Sequence, residues 1–77
     1  IYIAVIHYQG DAAGDAVIRC LGKRKYFIKS KTMRRERTEL AIEVFCKTND
    51  CDFTEKMRGI PGVEDVTLIQ YNGEYHG

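Results

Sequence analysis

From Ile1 to Tyr8 the chain is almost entirely strand-forming, with Ile1, Ile3, Val5 and His7 on one side and Tyr2, Ala4, Ile6 and Tyr8 on the other. Gln9-Gly10-Asp11 reads as a turn. Asp11 is expected as the N-cap of a helix, and Asp15 sits in its first turn, where the helix dipole favours an anion. Ala13, Ala16, Val17, Cys20 and Leu21 then recur at helical spacing, and Gly22 with Lys23-Arg24-Lys25 suits the helix end. The first helix is therefore predicted from about Ala12 to Leu21. Tyr26 to Arg35 alternates as a strand that carries Lys29, Lys31 and Arg34, a pattern that blunts a sheet edge. Thr38 to Lys47 is the next strand, with Leu40, Ile42, Val44 and Cys46 on one face and Glu39, Ala41, Glu43 and Phe45 on the other. Thr48-Asn49-Asp50 reads as a loop with a capping candidate. Phe53, Met57 and Ile60 mark a short helix that Gly59 and Pro61-Gly62 end. Val63 to Tyr71 is the last strand, and a tail with a tight turn at Asn72-Gly73 follows.

The resulting order is βαββαβ. It predicts an α+β, ferredoxin-like sandwich: one domain over residues 1–77, with a four-stranded antiparallel sheet and two helices on one face. The two most apolar strands, the first and third, are expected at the centre as a parallel pair, and the charge-rich second and fourth at the edges. The helices are expected over Ile1, Ile3 and Val5 with Leu40, Ile42 and Val44. That leaves Tyr2, Ala4, Ile6, Tyr8, Ala41, Glu43 and Phe45 on an open face.

Length changes the picture: 77 residues bury a limited core, so a partner over the open face or an edge would help. Tyr2, Ile6 and Phe45 are the residues expected to carry self-association, with a homo-oligomer, such as a dimer, as the outcome. The chain opens on Ile1-Tyr2-Ile3, without Met and already inside an apolar run, and is expected to be a piece of a longer protein. No apolar run is long enough to span a bilayer.

The net charge is +1, but nine basic residues stand against Glu36 alone between Arg19 and Arg37, and acids lead from Glu39 onward. Lys23, Arg24, Lys25, Lys29 and Lys31 are the candidates for contact with an anionic surface such as lipid headgroups. The aromatic set Tyr2, Tyr8 and Phe45 invites base stacking, but the basic-aromatic consensus is missing and Glu43 lies among them, so nucleic acid is a weak alternative.

Three cysteines, Cys20, Cys46 and Cys51, are odd in number and lack a C-x-x-C spacing, so reduced thiols are expected, with Cys20 and Cys46 in the core. No metal site is expected, since His7 and His76 have no convergent ligands around them. No carboxylate pair, activated nucleophile or phosphate loop is placed by the sequence, which points away from an enzyme and from a cofactor.

Ile60-Pro61-Gly62-Val63-Glu64-Asp65-Val66 resembles the "Ile-x-Gly-Val-x-x-Val" step with which ACT domains end their second helix, and Gln9-Gly10-Asp11 resembles their small-residue turn after the first strand. The chain also looks like the cytosolic C-terminal domain of an uncharacterised family of bacterial multi-pass membrane proteins. The segments that carry this are Lys29-Ser30-Lys31-Thr32, Thr38-Glu39-Leu40-Ala41-Ile42-Glu43-Val44 and the ending Leu68 to Tyr75. Similar tails occur in MgtC-type membrane proteins linked to magnesium. The resemblance implies a regulatory or assembly domain, cytoplasmic, with membrane segments of a parent in the bacterial inner membrane as partners. Its alternative is a small-molecule or ion sensor binding at Gln9, Gly10 and Asp11. The turn departs from the family's amino-acid site in having no Pro and no charged clamp for a headgroup.

Overall fold

The computed structural model describes residues 2–45 and 52–70. The expectations for Ile1, Cys46, Lys47, the loop at 48–50, Cys51, the tail turn and His76 lie outside the described residues. Six elements follow one another: β1 (Tyr2–Tyr8), α1 (Asp11–Leu21), β2 (Tyr26–Arg34), β3 (Arg37–Val44), α2 (Phe53–Arg58) and β4 (Val63–Gln70). The sheet order is β2-β3-β1-β4, so the two apolar strands are central and the charged ones are edges, as their composition predicts. The central pair is antiparallel, which corrects the parallel expectation. Chain direction requires this: the α1 crossover returns β2 parallel to β1, and the tight β2–β3 connection then reverses the chain.

The facing of β1 also differs from expectation. Tyr2, Ala4, Ile6 and Tyr8 share a face with Val44, Ile42 and Leu40 through the β1–β3 register, and this is the face that the helices cover. Ala4, Ile6, Leu40, Ile42 and Val44 are at most 2% exposed. Ile3, Val5 and His7 lie on the open face with Glu39, Ala41 and Glu43 from β3 and Asp65, Thr67 and Ile69 from β4. Ile6 is therefore a core residue rather than part of an open patch.

From α1, Ala13, Val17 and Leu21 close the core, and from α2, Phe53, Thr54 and Met57. Cys20 is half-buried at the core margin. Gly10, at φ 90°, is the N-cap of α1, and Asp11 is its first residue rather than the cap. Gly14 gives Tyr8 its place: a Cβ there would lie 2.9 Å from the phenol ring, so the missing side chain lets the ring sit under the helix. Gly62 does the same for the backbone. Its φ is +98°, a Cβ would lie 2.6 Å from the Gln9 carbonyl oxygen, and its own carbonyl accepts the Gln9 N–H at 2.8 Å. The Gly-Val step thus docks the start of β4 onto the β1–α1 turn.

Candidate functional site

Where α1 stands over the edge of the sheet, it leaves a cleft of about 360 Å³ lined by Tyr8, Asp11, Gly14, Asp15, Ile18, Ile28, Lys31 and Leu40. The fold produces the cleft in a simple way. β2 extends past the region that the helices cover, and Ile28 and Lys31, on its helix side by register with Ile42 and Leu40, look across open space at α1. Asp11 and Asp15 are one turn apart on the same helix face and form an acidic wall. Lys31 stands on the β2 wall, and Ile18, Ile28 and Leu40 supply apolar surface. The volume is in the range of small-molecule sites.

Of the three turn residues singled out by sequence, only Asp11 lines this cleft. Gln9 is turned toward β4, where its side-chain amide donates to Glu64 at 2.5 Å and its backbone to Gly62. Gly10 shapes the turn and caps the helix. Asp15 lies one helical turn from Asp11 and Tyr8 just before the turn, whereas Ile28 and Lys31 are brought to Asp11 only by tertiary structure. Gly14 was the local clue, a glycine inside a helical stripe with no turn to explain it.

The candidate surface cations separate. Lys23 and Lys25 are exposed at the α1–β2 turn. Arg24 instead lies over the Phe53 ring, 5.0 Å from its centroid, and reaches Asp52 at 3.4 Å, so it ties the turn to α2. Lys29 is the extra residue of a bulge and meets Glu43 at 3.5 Å on the open face, while Lys31 faces the cleft. The five do not form one patch. The expected aromatic platform does not form either: Tyr8 is buried and Tyr2 is half-buried on the helix side. The open face carries Phe27 and Phe45, packed edge to face with centroids 6.0 Å apart.

A second cluster, on the open face, was missed by reading His7 as an isolated residue. Its Nδ1 lies 2.7 Å from an Asp65 oxygen and its Nε2 lies 2.8 Å from a Glu39 oxygen, so the imidazole links all three of β3, β1 and β4. Arg37 and Glu64 pair at 2.8 Å beside it. The two carboxylates grip opposite edges of the ring and cannot converge on one ion with it. Hydrogen bonds to Asp65 and then Glu39 raise the His7 pKa above its ordinary 6.5, outweighing desolvation. A raised folded-state value means that His7 contributes fully below about pH 6.5 and that the contribution is lost as pH rises through the folded pKa. Chemical denaturation of the wild type should therefore show falling stability from about pH 6.5 upward, and His7→Gln should flatten that slope. An unchanged slope in the variant would remove His7 as its source.

Solved structures of similar shape decide the fold. The crystal structure of the ACT domain from GTP pyrophosphokinase of Chlorobium tepidum aligns over 88% of this chain and 95% of its own, with a TM-score of 0.69 and 15% identity. The fold is that of ACT domains. The solution NMR structure of the same domain covers 100% of this chain and 94% of its own, with a TM-score of 0.62 and 14% identity. No family model matches the chain. No curated protein matches it either. At such identities the likeness is one of fold.

Proposed function

We propose that the chain is a non-catalytic regulatory domain that senses a small zwitterionic molecule in the cleft between α1 and β2. The observation that carries this is the cleft's arrangement of charge: Asp11 and Asp15 on one wall, Lys31 on the other, and apolar Ile18, Ile28 and Leu40 around them. An ammonium group suits the acidic wall and a carboxylate suits Lys31, with a short apolar side chain resting on the isoleucines. The ACT fold of the neighbours supports a regulatory role, and the cleft lies beside the β1–α1 turn that the family resemblance singles out. The test is calorimetric titration and thermal shift with a panel of free amino acids. A binder should raise Tm, and Asp15→Asn and Lys31→Met should each weaken it about tenfold or more, the loss of one charge-assisted contact. A panel without any binder, or binding that both variants leave intact, would overturn the site.

The exposed cations of the α1–β2 turn and β2 favour a second element of this reading. The domain would sit at the cytosolic end of a bacterial membrane protein, with Lys23, Lys25 and the basic end of β2 turned to anionic headgroups. Each such charge contributes about 1 kcal/mol near the surface and is screened within a Debye length of about 8 Å at physiological salt, so the effect orients a tethered domain rather than anchors it. Among the described residues no helix is long and apolar enough to cross a membrane.

A further inference from the structure

The lining of the cleft differs with depth. Asp11, Asp15 and Lys31 are exposed at its mouth, whereas Tyr8 is only 5% exposed and Leu40 only 2% exposed at its floor. Among the described residues the three charged groups have no ion partner. Glu39, Glu43, Asp52, Glu55, Glu64 and Asp65, by contrast, are each paired. A zwitterionic headgroup therefore finds its partners at the mouth, and its side chain points down to Leu40 and Tyr8.

Tyr8 brings a polar atom to that floor. Its ring lies under α1, where a Cβ on Gly14 would stand 2.9 Å from the phenol oxygen. Gly14 itself lines the cleft, so the hydroxyl reaches the cleft wall. It bonds to no described residue, and it is not shut off from solvent. A tyrosine as buried as this ordinarily finds a partner for its O–H within the protein. Packing alone does not account for the oxygen, since a phenylalanine would fill the space under Gly14.

We propose that Tyr8 is a specificity-determining residue of the cleft: its hydroxyl bonds to a hydroxyl or carboxamide on the ligand's side chain, so that the domain selects a small polar amino acid over its apolar isostere. This rests on the cleft being the amino-acid site and narrows the ligand it takes. The ligand's carbon atoms lie against Leu40 and the isoleucines, and its polar group meets the phenol. A ligand that fills the cleft drives solvent from the floor, and an apolar side chain there would leave the phenol with no bond at all. Sites built around such a bond reject the analogue that lacks it far more strongly than apolar pockets tell one methylene from another.

The test is calorimetric titration of the wild-type chain with three isosteric pairs: serine with 2-aminobutyrate, threonine with valine, and asparagine with leucine. In the pair that fits, the polar member should bind about tenfold tighter or more. Tyr8→Phe, its fold checked by circular dichroism, should cut that difference to less than about threefold, whereas Asp15→Asn should weaken both members together. A second readout needs no variant: the Tyr8 Cζ resonance of the wild type should move more with the polar member than with the apolar one. Equal affinities in the wild type, an equal loss of both members in Tyr8→Phe, or equal shifts of the Cζ resonance would overturn the role of Tyr8 and leave the cleft standing. If none of the six molecules binds, the inference falls, and the wider amino-acid panel decides whether the cleft falls with it.

Discussion

Truncating Ile6 to alanine should destabilise the domain by about 2–5 kcal/mol, while Val5→Ala, one residue away, should cost about 1 kcal/mol. Ile6 has no exposed surface and packs between both helices and β3, so its loss leaves a cavity that the surrounding structure cannot fully collapse. Val5 lies half-exposed on the open face, where water fills the space of a lost methyl. A domain of this length has roughly 4–12 kcal/mol of total stability, so the first change removes a large share of it. Urea denaturation of both variants reads the difference through the midpoint. A larger loss for Val5→Ala would put the other face of β1 under the helices.

The contrast also shows where sequence reasoning reaches its limit. β3 was legible because its two faces differ in chemistry: Leu40, Ile42 and Val44 on one, Glu39, Ala41 and Glu43 on the other, and each set lies where the alternation places it. β1 has two apolar faces, so period-two patterning marks it as a central strand but cannot say which face is covered. The deciding signal was polar. The set Ile3, Val5 and His7 ends in a histidine whose cross-strand partners are Glu39 and Asp65, and that set belongs on the side open to water. Helix α1 was legible for the same reason as β3: its stripe of Ala13, Val17 and Leu21 is separated from a charged face. Only its cap was misplaced, because Gly10 reaches φ 90° and lets Asp11 enter the first turn.

The cleft was legible only in part. A turn after the first strand is a local feature, and the sequence exposes it. The opposite wall is 20 residues away at Lys31 and depends on how far β2 runs beyond the helices. A bulge between Ile28 and Ser30 then sets which β2 side chains face α1. By inserting Lys29, it sends that lysine to Glu43 and leaves Lys31 facing the cleft. No pattern of hydrophobicity announces a bulge in a strand that from Lys29 on is charged at every second or third residue.

Replacing Gly62 with alanine should cost about 2–6 kcal/mol, made up of about 1–3 from forcing a side chain into positive φ and about 1–3 from crowding. The crowding is against rigid groups, since the new Cβ would lie 2.6 Å from the Gln9 carbonyl oxygen and 3.0 Å from the Ala13 Cβ. Neither group can swing aside, and retreat would stretch the Gln9 N–H bond to the Gly62 carbonyl. Gly10→Ala separates the two causes. Gly10 also has positive φ, but a Cβ there meets nothing within 4 Å, so it should show the conformational cost alone. Equal losses in the two variants would mean that the close approach at Gly62 contributes nothing. The effect should also reach the cleft, because Gln9 precedes α1 and Ala13 lies in its first turn, on the helix whose Asp11 and Asp15 form the acidic wall. Gly62→Ala should therefore weaken any ligand bound there, although no atom of residue 62 lines the cleft, whereas a substitution on the far edge, such as Ile69→Thr, should leave the affinity unchanged.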